Sequence, residues 1–208
     1  MQSSRLAVVS AICAMVCACQ SSGHGSIAQW YEQMSAQQPK GERLYICHGF
    51  GCAYTQPVMF EAKAERRLRS ILAKGRASAS NERKAIAKAV SWQEKRVAAS
   101  VGSAGDVGGL DMQNGGQRGQ LDCIDEAANT TSLLLYAQRK GMLRYHTVER
   151  PDARGFFLDG RYPHATAVIK ENESGALFAV DSWRLGNGQA PDILPLKRWR
   201  AITAADLG

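Results

Sequence analysis

The chain of 208 residues lacks any apolar run long enough to cross a bilayer. Its one strongly apolar stretch, Leu6 to Ala18, is thirteen residues without a charge, against the roughly 20 that a spanning helix needs. Aromatic residues make up only 7%, and no base-stacking platform or nucleic-acid module accompanies the basic side chains, so a nucleic-acid partner is not expected. No internal repeat and no second apolar block is visible. Cysteine is sparse where it matters: of six, three (Cys13, Cys17, Cys19) fall in the first twenty residues, leaving Cys47, Cys52 and Cys123 for the body. A framework of three structural disulfides is therefore excluded. What is present, 45% hydrophobic and 22% charged residues, excludes disordered, collagen-like and coiled-coil classes and is enough for one well-cored domain.

The first residues read as an export signal. Arg5 precedes the apolar run, which is the length of a signal h-region. Val16-Cys17-Ala18-Cys19 resembles a lipobox, so 1–18 is expected to be removed as signal peptide and Cys19 to be lipidated at the new N-terminus; cleavage after Ala18 by an ordinary signal peptidase is the alternative. Residues 19–25 form a small polar tether and 26–208 a single domain, with 26–100 largely helical. The expected location is the periplasm or cell envelope, with the membrane as partner through the lipid.

Helical spacing places Ile27, Trp30, Tyr31 and Met34 on one face, then Leu68, Ile71 and Leu72 within 61–74, and Ile86, Ala89, Val90, Gln93 and Val97 within 81–100, where Ser80 is a candidate cap. Leu44 to Cys47 and Val58 to Phe60 read as extended segments around a Gly-rich bend. Residues 101–119 hold seven glycines and form a long loop, a length that within a domain is usually functional. Basic side chains concentrate at Lys63, Arg66, Arg67, Arg69, Lys74 and Arg76 and in the tail Lys197, Arg198 and Arg200, a solvated face or one set against anionic lipid or polymer.

The chemistry-bearing residues follow the loop. Asp122 and Asp125 have capping-box spacing, so a helix opens at Cys123 and runs to about Lys140, before Gly141. The helix dipole favours a thiolate there while the two aspartates oppose it, so a cationic partner is needed. His164 opens one strand and Asp181 ends another. If residues 171–174 are the hairpin loop, paired positions sum to 345 and His164 faces Asp181 directly. Asp181 would then fix the imidazole tautomer and leave the other nitrogen for the thiol. His146, in the extended stretch Leu143 to Val148, has no partner in sight and reads as structural. Cys47 and Cys52 flank His48 and glycine and read as a disulfide in an exported chain. Adjacent Cys47 and His48 chelate poorly and no fourth ligand is evident, so no metal is expected.

A Cys at a helix start, a strand His forty-one residues on and a strand Asp seventeen further resembles the transglutaminase-like branch of the papain-like cysteine enzymes over residues 117–199, with Asp181-Ser182-Trp183 and Asn187-Gly188 in keeping. It is also similar to uncharacterised exported bacterial lipoproteins with a Cys-Ile-Asp-Glu helix. The resemblance implies an α+β fold, with a Cys-bearing helix packed on an antiparallel sheet that carries His and Asp. It also implies a Cys123–His164–Asp181 triad, an oxyanion donor at Gln117 or Gln120 with the papain-like spacing selecting Gln117, an aromatic shield at Trp183, and no cofactor. The activity it implies is thiol-dependent acyl transfer, as a cysteine peptidase or amidase acting on a peptide or amide. The alternatives are a cross-linking transglutaminase and a non-enzymatic envelope lipoprotein that keeps the fold as a scaffold.

Overall fold

The computed structural model describes residues 25–109, 112–155 and 163–203. Cys19, the expected lipidation site, the expected signal peptide 1–18 and nearly all of the expected tether lie outside these residues. The described chain is α+β, with two antiparallel sheets and five helices.

Helix α1 (Ile27–Gln33) starts at a capping box between Ser26 and Gln29 and buries Trp30 and Tyr31. A two-stranded sheet follows, β1 (Arg43–His48) and β2 (Tyr54–Met59). Helix α2 (Ala62–Ala73) buries Leu68, Ile71 and Leu72, as its spacing requires. Helix α3 (Ala79–Val101) is capped by the Ser78 side chain rather than Ser80, two residues earlier than the apolar stripe alone implies, because Ser78 is the residue still in extended backbone. All five predicted stripe residues of α3 are buried. The long loop contains two short 3₁₀ turns and closes where Gly119, at φ +86°, lies so near the Gly102 carbonyl that a Cβ would sit 2.3 Å from its oxygen.

Helix α4 (Cys123–Arg139) begins at Cys123, with Asp122 as N-cap and a complete capping box to Asp125. It lies against β1 and against the second sheet, a meander in the order β3 (His146–Arg154), β4 (His164–Glu171), β5 (Leu177–Asp181), β6 (Asp192–Pro195). Helix α5 (Leu196–Ala201) covers the sheet with Leu196 and Trp199, which pack on Val168 and Ala179. In β3 the pairing with β4 shifts by one residue between Glu149 and Asp152. Pro151 lies in this bulge, where its missing N–H is not called on by the ladder. The main core joins α2, α3, α4 and the inner faces of β1, β3, β4 and β5 through Leu44, Leu68, Ile86, Leu133, Tyr136 and Ile169. No helix among the described residues is long and apolar enough to cross a membrane.

Candidate active site

The β4–β5 register differs from the predicted one. Lys170 faces Leu177 and Ala167 faces Val180, so pairs sum to 347 rather than 345. The turn is 172–175: the Glu171 N–H donates to the Ala176 carbonyl at 2.8 Å, and Gly175 takes φ +69°, which moves the turn one residue along the chain. The slip is even, so every side chain keeps its face. Trp183 takes the position nominally opposite His164, and Asp181 becomes its diagonal neighbour. The contact survives: His164 Nε2 and Asp181 Oδ2 are 2.7 Å apart.

Two tryptophans complete the setting of this pair. The Trp199 indole N–H donates to the same Asp181 oxygen at 2.7 Å, and the His164 ring lies between Trp183 and Trp199, with centroids 4.4 and 5.4 Å away. An ionised carboxylate only accepts, so Nε2 carries the imidazole proton and Nδ1 holds the lone pair. Nδ1 is buried and has no hydrogen-bond partner. Asp181 thus leaves the other nitrogen unoccupied, as the tautomer argument requires.

Cys123 is the only free cysteine among the described residues. Its sulfur packs beside Ala165 and receives the Ala165 backbone N–H, one residue along the strand from His164. No hydrogen bond joins it to Nδ1. The expected thiolate is not favoured in this arrangement. Burial, then the Asp122 charge, and more weakly Asp181, push the thiol up to about 12 against the help of the Ala165 N–H. The helix dipole is outweighed by burial first and by the charge of the capping Asp122 second. Alkylation of Cys123 by iodoacetamide is therefore expected to be slower at neutral pH than that of a free thiol of pKa about 8.5. Its rate should keep rising into the alkaline range; a plateau from mildly acidic pH would instead show a standing thiolate–imidazolium pair.

The disulfide loop brackets this helix end. Cys47 and Cys52 are bonded, S–S 2.05 Å. Within their loop Phe50 and Cys52 have positive φ, 71° and 57°, a costly backbone for non-glycine residues. The resulting turn aims successive N–H groups at the Cys123 helix: Phe50 and Cys52 donate to Asp125 at 2.8 and 2.7 Å and Gly51 to Asp122 at 3.0 Å. Asn129, further along α4, exchanges two hydrogen bonds with the Cys47 backbone. Burial and the Asp122 charge nevertheless lift Asp125 to about 7. Cys47, Cys52 and Asp125 bring three donor groups together, but the two sulfurs are bonded to each other. His48 Nδ1 accepts the Gly119 N–H at 3.1 Å.

On the other side of α4, Ser182 donates to the buried Glu126 at 2.7 Å and lies 3.3 Å from the Thr130 hydroxyl. Burial, then Glu94, holds Glu126 well above the usual carboxylate range. This tie joins the Cys123 helix to the segment bearing Asp181 and Trp183, beyond the last paired residues of β4 and β5, Ala167 and Val180. Glu126, Thr130 and Trp199 are supports that sequence reasoning missed. The capping signature explained Asp122 and Asp125, but nothing local marks Glu126 and Thr130 as partners of Ser182, more than fifty residues away, or Trp199 as a partner of Asp181, eighteen away.

The oxyanion candidates are not assembled. Gln117 is exposed and its side-chain amide donates to Asn114 at 2.9 Å; that of Gln120 reaches the Gly105 carbonyl at 3.5 Å. Both amides are turned into the 103–120 loop, because each has an acceptor in one of its 3₁₀ turns. Two backbone donors stand beside the sulfur: the Ala165 N–H and the N–H of Cys123 itself, in the first turn of α4 where no helical carbonyl precedes it. No family model, curated protein or solved structure matches the chain.

Proposed function

We propose that this protein is a thiol-dependent acyl-transfer enzyme of the transglutaminase-like, papain-like kind, acting as a hydrolase of a peptide or amide at the cell envelope. The observation that carries the reading is the His164–Asp181 pair: a buried imidazole held by Asp181 through Nε2 and flanked by two tryptophans, with its other nitrogen left without a hydrogen-bond partner, one residue before Ala165, whose N–H lies against Cys123, the one free thiol among the described residues.

The resting thiol is neutral, so the chemistry runs by general base catalysis. His164 Nδ1 takes the Cys123 proton as sulfur attacks the carbonyl, and the imidazolium that forms is stabilised by Asp181. The same nitrogen then protonates the leaving amine, and a thioester on Cys123 remains. Water closes the cycle; an amine acceptor would make the reaction transamidation. A Cys123–Nδ1 hydrogen bond forming with substrate fits the common loosening of such contacts in unliganded sites.

One feature favours the scaffold reading: burial and the charges of Asp122 and Asp181 raise the Cys123 thiol. An activated ester, p-nitrophenyl acetate, separates the two. The expected result is a burst of nitrophenol and an acetyl group on Cys123 by mass spectrometry, absent in Cys123→Ala and reduced to the slow rate of a surface thiol in His164→Ala. Equal acetylation with and without His164 would sink the enzyme reading. Adding hydroxylamine shows whether the thioester partitions to water or to an amine.

A further inference from the structure

The net charge of the chain lies in one place. Residues 61–96 hold eleven Lys and Arg against four Glu, a balance of +7, which equals the formal charge of the whole sequence; the other 172 residues carry 15 basic and 15 acidic side chains. These thirty-six residues are α2, the turn after it and most of α3. Lys63, Arg66, Arg67 and Lys74 fall at i, i+3, i+4 and i+11 on α2, away from Leu68, Ile71 and Leu72. Arg76 is on the turn, and Lys84 and Lys88 stand one turn apart on α3. All seven are exposed, and none forms an ion pair among the described residues. Three of the four carboxylates in this segment are engaged: Glu65 pairs with Arg69 and Lys140, Glu82 pairs with His146 in the interior, and Glu94 accepts the Gly188 N–H; Glu61, at the start of α2, is exposed and acts on Arg96.

We infer that the exposed basic side of α2 and α3 is a docking surface for an anionic phospholipid bilayer. A solvated face usually interleaves both signs, which lowers self-repulsion. Here seven cations are left uncompensated on a protein whose remainder is neutral. The apolar side of α2 is already spent on the core, so the surface would attract lipid headgroups without inserting. Among the described residues the exposed large apolar side chains, Met59, Val107, Met112 and Leu177, include no aromatic, so no exposed ring stands with these cations to stack nucleic-acid bases. Headgroups need only charge at close approach, which long Lys and Arg side chains on a helix supply. The inference is independent of the acyl-transfer reading and does not require Cys19 to be lipidated.

The full chain is mixed with vesicles of phosphatidylcholine alone or with phosphatidylglycerol and sedimented at low and high salt. An N-terminal lipid or apolar segment contributes to both vesicle types, whereas the basic surface contributes only to the anionic ones. The expected result is tighter partitioning onto the anionic vesicles, reversed by salt. In K63Q/R66Q/R67Q/K74Q that excess should fall by up to about a thousandfold, given the contribution of each basic residue near an anionic leaflet. These side chains have no partners to lose, and circular dichroism checks that the fold is kept. K197Q/R198Q, on α5, should leave the excess intact. Equal binding to both vesicle types, insensitivity to the four substitutions, or binding to a soluble polyanion such as polyglutamate but not to the vesicles would overturn the proposal.

Discussion

Asp181→Ala is expected to lower the rate constant for thiol-dependent hydrolysis on the order of 10⁴-fold, the scale seen when the acid of such a triad is removed. Without the carboxylate, His164 has no acceptor for Nε2–H and no counter-charge for the imidazolium. Asp181→Asn should cost less here than an amide usually does. The Trp199 indole can only donate, and it shares the Asp181 oxygen with His164. It therefore draws the carbonyl oxygen of the substituted amide, rather than its nitrogen, into that position. The histidine keeps its Nε2–H tautomer and loses only the charge stabilisation. Removing the indole as well, in Asp181→Asn/Trp199→Phe, frees the amide to turn, places the proton on Nδ1 and deprives Cys123 of its base. Nitrogen NMR of His164 reads the tautomer and steady-state kinetics read the rate. Equal losses in Asp181→Asn and the double variant would refute the role given to Trp199.

That pairing shows how far local pattern carries. The capping signature placed the start of α4 at Cys123 because both of its hydrogen bonds are made within four residues. The stripes of α2 and α3 were legible for the same reason, since each burial repeats at the helix period. The hairpin was legible in its strands but not in its turn. Glu171 to Gly175 offers several residues suited to a turn, and only the left-handed Gly175 decides between them. His164 and Asp181 met regardless, because an even slip leaves both on one face and a diagonal neighbour is within reach of their side chains.

What stayed hidden is what depends on distant chain. The sequence sets the helix dipole against Asp122 and Asp125 and asks for a cationic partner; burial, which local pattern does not show, is the largest influence and sides with Asp122 in raising the thiol. The glutamines precede Cys123 at a suggestive spacing, yet the turns of their own loop capture them. Strand β6 escaped notice because its four residues, Asp192 to Pro195, carry too little pattern and end in proline. His146 had no partner within sight because its partner is sixty-four residues away.

That partner supports the second large effect. Glu82→Ala is expected to destabilise the fold by about 3–5 kcal/mol, the cost of breaking a buried pair from one side. Glu82 is 1% exposed. Its Oε1 accepts the Arg144 N–H at 2.6 Å, and its Oε2 accepts the Tyr145 N–H and His146 Nδ1, both at 2.8 Å. Arg83 approaches His146 Nε2 at 3.1 Å, and a guanidinium cannot accept, so Nε2 is the acceptor and Nδ1 carries the proton to Glu82. Alanine would leave two backbone N–H groups and an imidazole N–H dry and unpaired where α3 meets the start of β3. The pH dependence has a definite sign. Burial raises the Glu82 carboxyl, but hydrogen bonds from His146, Arg144 and Tyr145 together hold it below its ordinary value. A depressed folded value means that this stabilisation is complete above the unfolded carboxylate pKa of about 4.3 and fades as pH falls through the lower folded value. Urea denaturation should therefore show the full deficit of Glu82→Ala at neutral pH and a shrinking one in acid, where the wild type loses the same interaction. A deficit that stayed constant into acid would mean that lost packing, rather than the ionised carboxylate, accounts for the cost.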